Sequence, residues 1–373
     1  MAQWTRALND ALRRFRCRVA GRSGEARNVA VIAAGGLGDT VMFALGLPRL
    51  QKLCREGETL TVILRKDAAR MAFLFGPGVE VEIIDFNKLA KDGGYRTSVF
   101  KALYKAHYRL LISADFLRHP YLDEALIRAA QPARALAMEP RSWRKYDKAL
   151  QANRSLYARL FDSGPAIQDK IVRWSRFNDW LLEEGETPPP KVNLAPDTLA
   201  PPAKLERPTI VIQPFSAVKG KQSPPELYGQ IIDQLGTGYD VVIAGGPGDL
   251  EKNPDYAGLL ERTNVRLDTS PFEDCVPLLR AATLVISVDT AMMHLAAAVG
   301  APTLCLASAA YVGEIVPYDD RVMPENLKVL YHHMPCEGCL GDCPFPREDA
   351  MYPCVARLET NRVFQQVSAM LSD

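Results

Sequence analysis

No stretch of this sequence is apolar for long enough to cross a bilayer, which excludes a helical membrane protein. Net charge is nearly absent as well: 45 lysines and arginines stand against 44 aspartates and glutamates, a formal charge of +1. Nucleic acid held through bulk electrostatics is thereby excluded, and no nucleic-acid partner is expected. The chain shows no short charged start followed by an apolar core and a small-residue cleavage site, so a cytoplasmic location is expected. Neither an internal repeat nor a low-complexity tract is found. The glycine spacing of a dinucleotide-binding fingerprint is also missing.

What is present points to two α/β domains, and 373 residues suffice for two sizeable cores. Asn28 to Ala34 reads as a buried parallel strand, Gly35-Gly36-Leu37-Gly38-Asp39-Thr40 as a turn, and Val41 to Leu53 as a helix. Strands follow near 60–64, 81–86 and 109–113, and this alternation argues for a doubly wound parallel sheet. Ligands of such sheets sit at the carboxyl ends of the strands, where Asp39 would lie; a helix-capping role suits Asp39 equally. Lys170 to Glu184 has the look of a long helix, and residues 187–208 hold seven prolines and little periodicity, as a linker does. The alternation restarts at Thr209. The expected division is a basic N-terminal segment 1–27, a first domain 28–186, the linker 187–208, a second domain 209–357, and a terminal helix 358–373 packing back across both.

The most informative stretch runs from Thr283 to Leu306. An apolar β-rich run ends at Ser287-Val-Asp289-Thr290, an Ala-rich helix follows from Ala291, and Gly300 and Pro302 stop it before another apolar run. The turn would expose backbone N–H groups and the positive end of a helix dipole, which favour a phosphate. His294, four residues after Thr290, can stand over the same helix face. The same residues also read as a buried α/β crossover with one satisfied histidine.

With these residues in view, the chain resembles family 9 of the glycosyltransferases, the family of the ADP-heptose:lipopolysaccharide heptosyltransferases. The motifs are Gly36-Leu-Gly38-Asp39; Gln213-Pro-Phe-Ser216 with Lys221 and Pro224; Gly245-Gly-Pro-Gly-Asp249; and Ser287-Val-Asp289-Thr290 with His294-Leu-Ala-Ala-Ala, in the family's order. The resemblance implies a GT-B fold, two Rossmann-like α/β domains facing across a cleft, with the acceptor on the first and the nucleotide sugar on the second. It implies inverting, metal-independent transfer of heptose from ADP-heptose to a lipopolysaccharide core or related lipid-linked glycan. Asp39 corresponds to the family's catalytic base, Lys221 to its phosphate-binding lysine and Ser216 to a hydroxyl residue on phosphate. The N–H groups of Asp289, Thr290 and Ala291 would hold the diphosphate or the sugar, with His294 assisting as donor. Asp249 corresponds to an acidic residue on the ribose, with Glu251 as its rival. The chain departs from the family at Phe215, Ala217, Ser223 and Ala291, where glycine, a hydroxyl residue, tryptophan and glycine are usual. Relatives with a cysteine cluster include protein heptosyltransferases, so a protein acceptor is an alternative. A non-catalytic sugar-nucleotide or metal-binding scaffold is another, and a GT-B sugar-nucleotide epimerase a weaker third.

Of eight cysteines, Cys17, Cys54, Cys275 and Cys305 are scattered, whereas Cys336, Cys339, Cys343 and Cys354 gather in a Gly/Pro-rich loop. Four thiolates at such spacing suit a closed tetrahedral site, with structural zinc expected and iron as the other occupant; thiols without metal, or linked as disulfides, are the alternative. His332 and His333 are adjacent reserves. The N-terminal segment is rich in arginine, and Trp4, Leu8, Leu12, Phe15 and Val19 recur at helical spacing. A helix docked on its own domain, or peripheral contact with a membrane at the inner face of the inner membrane, would each account for it.

Overall fold

The structure, a computed structural model, describes residues 2–372 and the side chains of residues 8–372. Two compact units emerge, one made of the chain up to Ala166 with Arg173–Thr187, the other of Ile167–Val172 with the chain from Pro188 onward. Each is built on its own six-stranded, wholly parallel sheet.

The first unit begins with helix α1 (Ala2–Ala20) and strand β1 (Arg27–Ala33), followed by α2 (Leu37–Ala44) and α3 (Leu47–Gln51). Next come β2 (Leu60–Arg65), β3 (Val79–Ile84), α4 (Phe86–Lys91), α5 (Gly93–Ala106) and β4 (Tyr108–Ser113). Helix α6 (Asp123–Ala130), β5 (Arg134–Met138), α7 (Asp147–Asn153), β6 (Arg159–Phe161) and α8 (Lys170–Leu182) complete it, the last beginning within the second unit's share of the chain. The helix predicted from Val41 to Leu53 is two helices. It starts earlier, at Leu37, and breaks at Leu45-Gly46, because Pro48 behind the break has no N–H for a continuous ladder.

The second unit runs β7 (Thr209–Gln213), α9 (Pro225–Leu235), β8 (Asp240–Ala244), α10 (Asp249–Lys252) and β9 (Val265–Asp268). It continues through α11 (Phe272–Ala281), β10 (Leu284–Val288), α12 (Ala291–Ala298), β11 (Thr303–Leu306) and β12 (Leu327–Leu330) to α13 (Pro353–Ala356) and α14 (Thr360–Ser372).

The sheets share one plan. The first has strand order β3-β2-β1-β4-β5-β6, and the second β12-β11-β10-β7-β8-β9, the same pattern read from its other edge. This is the doubly wound order in which ligands bind where the winding reverses, between β1 and β4 in the first sheet and between β7 and β10 in the second. Burial explains the strands: β7 and β10 are buried along their whole length, as strands covered by helices on both faces must be. Ile32, Ile63, Phe100 and Leu126 anchor the first core. Ile212, Tyr228, Ile243 and Ile286 anchor the second, to which α14 adds Val363 and Val367. Among the described residues no helix is long and apolar enough to cross a membrane.

Helix α1 is amphipathic but docks with its polar side. Asp10 and Cys17 are buried, while Leu8, Leu12, Phe15 and Val19 are exposed. The Trp4 side chain lies outside the described residues. Apolar side chains left in water forgo about 1.5–3 kcal/mol each, so the docking must be fixed by polar contacts. It is: the buried Arg96 of α5 grips both carboxylate oxygens of Asp10 at 2.8 and 2.6 Å, and Arg13 donates to Thr97 at 2.9 Å.

Candidate functional site

In the second unit the site is assembled where β7 and β10 end. These strands pair in register, Ser287 beside Gln213. The Gln213 side chain is buried and its Oε1 accepts from both Ser287 Oγ (2.9 Å) and Thr290 Oγ1 (2.8 Å). One amide thereby joins the loop after β7 to the helix start after β10. The Thr290 hydroxyl is turned toward Gln213 and accepts no N–H from the first turn of α12. The Thr290 N–H is taken by the Val288 carbonyl at 2.8 Å, and His294 N–H returns to the Thr290 carbonyl at 3.3 Å. Between them the N–H groups of Ala291, Met292 and Met293 have no acceptor among the described residues, which leaves the positive end of α12 open to an anion.

Beside this helix end Lys221 Nζ stands 2.6 Å from Asp289 Oδ1 and 4.7 Å from the centre of the Tyr311 ring. Asp289 Oδ2 accepts from Ser308 Oγ at 3.1 Å. Burial pushes the Asp289 carboxyl above its usual range, and the Lys221 ammonium and Ser308 pull it back. A buried carboxylate repels a phosphate, so what Asp289 offers here is the orientation of Lys221, with contact to an anion left to the ammonium and the amides. Ser216 is half-buried, and its Oγ accepts from Val218 N–H at 3.1 Å. His294 is buried, with Nδ1 paired to the Tyr318 hydroxyl.

Asp249 occupies a separate turn, after β8, where its Oδ2 accepts the Gly246 N–H at 2.7 Å; Glu251 is exposed. The departure at Phe215 has a packing reason. Its ring is buried, meets Tyr256 edge-on at 5.3 Å, and fills the space over Gly245, where a Cβ would come within 2.9 Å of it.

In the first unit Asp39 lies in the first turn of α2, at the switch point beside β1, with its Oδ2 accepting Gly36 N–H at 2.7 Å. Gly35 is obligatory, since a Cβ there would stand 2.5 Å from that of Asp39. Thr40 donates from both its N–H (3.0 Å) and its hydroxyl (2.9 Å) to the Gly36 carbonyl, and Gly38 lies between. Residues 35–39 and 245–249 are thus the same device, Gly-Gly-x-Gly-Asp with the carboxylate folded back on the second glycine. Sequence reasoning passed over this correspondence and also a cluster after β4 and β5. There His119 Nε2 meets Tyr146 Oη at 3.1 Å, Tyr121 and Trp143 pack edge-on around them, and Asp115 accepts Ala34 N–H at 2.5 Å, tying this region to the Asp39 turn. No local signal marks it in the sequence, because His119 and Tyr121 are separated from Trp143 and Tyr146 by helix α6 and strand β5.

The four clustered cysteines lie in the second unit. Cys354 is buried, Cys336, Cys339 and Cys343 are half-buried, and none is in a disulfide. The Cys336 thiol is pushed up to about 11, first by burial and then by Cys339 and Cys343; burial raises Cys354 too, with Cys343 and Cys339 adding to it. The sulfurs are therefore within electrostatic reach of one another, although among the described residues no three His, Cys, Asp or Glu side chains stand in metal-binding geometry. His333 pairs with Glu337 at 2.8 Å instead. The loop is built onto the anion site: Gly338 and Leu340 donate N–H bonds to the carbonyls of Ala309 (3.0 Å) and Ala310 (2.7 Å), next to Tyr311. Tyr352 N–H binds the carbonyl of Gly220, next to Lys221, at 2.9 Å.

Residues 183–339 match the family model "Glycosyltransferase family 9 (heptosyltransferase)". No curated protein sequence matches the chain. Among solved structures, a family 9 glycosyl transferase of Veillonella parvula is similar with TM-score 0.66 and 16% identity, over 93% of this chain and 98% of that one. E. coli ADP-heptose lps heptosyltransferase II has TM-score 0.66 and 16% identity, over 92% and 98%. The iron-containing dodecameric glycosyltransferase TibC of enterotoxigenic E. coli has TM-score 0.53 and 15% identity, over 94% and 80%. The likeness in structure is one of fold, and it assigns the two parallel α/β sheets to the GT-B class. The match to the family 9 model lies within residues 183–339, the part of the chain that carries Ser216, Lys221, Asp249 and Asp289 to His294.

Proposed function

We propose that the protein moves a heptosyl group, with inversion, from ADP-heptose to a lipopolysaccharide core or related surface glycan. The observation that carries this is the Lys221–Asp289 pair beside the open end of α12, at the switch point of the second sheet. An acceptor hydroxyl attacks the anomeric carbon as the bond from that carbon to the diphosphate oxygen breaks, and the leaving diphosphate gathers negative charge. Lys221 and the amides of Ala291 to Met293 neutralise that charge without calling on a metal. Asp39 takes the proton from the attacking hydroxyl. Ser216 donates to phosphate, Asp249 receives a ribose hydroxyl, and His294 holds α12 in register through Tyr318. The aromatic side chains around His119 supply faces for acceptor sugar rings.

Asp39→Asn is the direct test. Asparagine keeps an oxygen for Gly36 N–H and loses only the charge, so turnover should fall by about 10²–10⁴-fold while ADP binding is retained. Near wild-type turnover of that variant on its true acceptor would remove Asp39 as base.

For the cysteine loop we propose structural zinc, with iron as the other occupant. The donor type suits such an ion, four thiols gathered on one loop, although among the described residues they do not stand in metal-binding geometry. The metal's place there is to hold the loop, not to act on substrate. A protein acceptor is the second reading, motivated by the cluster of four cysteines in this loop. Parallel acceptor trials with core oligosaccharide and with candidate proteins separate the two.

A further inference from the structure

Helix α1 carries an apolar stripe that no described residue of the first unit covers. Leu8, Leu12, Phe15 and Val19, at 63%, 50%, 63% and 72% exposure, succeed one another at four- and three-residue steps and so form one line along the helix. The opposite side holds Asp10, Arg13, Arg14 and Cys17 against the body of the unit. Asp10 is the only acid of α1, and it is turned inward onto Arg96. The outward side therefore has no negative charge. Arg16 and Arg18 border the stripe, one along each edge; both are exposed, and Arg18 donates to Gln131 at 3.0 Å.

We propose that this face docks on a bilayer surface bearing anionic headgroups, with α1 lying in the plane of the interface. The four apolar side chains would enter the acyl boundary while Arg16 and Arg18 meet lipid phosphates. Charge complementarity selects this occupant. A second copy of the chain, paired through the same patch, would set these arginines near their own counterparts with no acid on α1 to receive them. An anionic surface receives them all. The docking of α1 by an ion pair, with its apolar side left out, is the arrangement such a surface requires. The inference needs no assumption about sugar transfer, and its test uses no sugar.

Full-length protein is mixed with phosphatidylcholine vesicles with and without phosphatidylglycerol, and sedimentation separates bound from free. The expected result is binding to the anionic vesicles that weakens with added salt. Leu12→Glu combined with Phe15→Glu should reduce it by roughly tenfold or more, and Arg16→Gln by roughly fivefold. Thermal unfolding of these variants should be unchanged, because the altered side chains point to water. Wild-type protein that stays in solution with both vesicle types overturns the proposal, as does a double variant that binds like wild type. Sedimentation velocity supplies the third outcome: a concentration-dependent dimer abolished by the double variant, in protein that ignores vesicles, would assign the face to a second copy instead.

Discussion

Lys221 and Asp289 show what a buried ion pair can be for. Both charges are taken out of water, with side-chain exposures of 12% and 3%, so the pair is a weak source of net stability but an expensive one to break. Lys221→Met should cost about 3–5 kcal/mol in urea unfolding, because the Asp289 carboxylate is left buried without its counter-charge. Adding Asp289→Asn should return most of that stability and none of the ADP affinity, measured by calorimetry. Recovery of binding in the double variant would mean that the ammonium is not what the diphosphate meets.

Asp123 is a second residue whose charge is set by its surroundings. Burial raises its carboxyl to about 7, Asp115 and Glu124 add to that, and the His119 N–H at 2.5 Å and Arg118 oppose it. A folded-state pKa above the unfolded one means the native chain binds this proton more tightly. The stability it contributes is full below about pH 4 and lost as pH rises through about 7, with a slope of at most about 1.4 kcal/mol per unit from this group. Asp123→Asn should flatten that slope, so that the variant gains on the wild type between pH 5 and 8 in a series of thermal melts.

Among the elements, the cysteine loop has the widest mechanical reach. Its backbone holds Ala309 and Ala310 on one side and Gly220 on the other, and the residues next in the chain, Tyr311 and Lys221, lie ring against ammonium. Loosening the loop should therefore be felt at the anion site. Protein prepared without chelator is expected to hold about one zinc or iron per chain by elemental analysis. Cys336→Ser with Cys339→Ser should abolish the metal and weaken ADP binding several-fold, while turnover at saturating donor changes little. Metal-free protein with four freely alkylated thiols would end the metal assignment.

The elements also show which parts of the fold could be read from sequence. β7 and β10 were legible because they are continuous β-branched and apolar runs bounded by turns, and the helix between Asp289 and Gly300 because its ends are marked. β5, β6 and β12 were not: Arg134-Ala-Leu-Ala-Met138 has helix-favouring composition, and three or four residues are too few for a period to declare itself. Helix α1 was legible as amphipathic, but periodicity cannot say which side docks. That was settled by Arg96, which is 86 residues from Asp10 in the chain. At the site the pairing of Lys221 with Asp289 was hidden for the same reason, since it depends on two loops from non-consecutive strands.

At the scale of the whole molecule, each unit has its own sheet and core, and the residues assigned to the donor all belong to the second. Gln213, Ser216, Lys221, Asp249 and Asp289 to His294 hang from three strands of one sheet, so nucleotide binding needs nothing from the first unit to explain it. Ligand bound to one of two separately cored units stabilises that unit directly, by about 2.7 kcal/mol at a hundredfold excess over Kd. Hydrogen exchange of the full chain with ADP should then slow at residues 213–222, 246–249 and 289–294, where backbone N–H groups and loop ends are engaged. The Gly-Gly-x-Gly-Asp turn at 35–39 is a built-in control, since it repeats the turn at 245–249 in the unit that ADP is not assigned to. Protection centred on residues 35–39, with none at 289–294, would reverse the assignment of donor and acceptor to the two sheets.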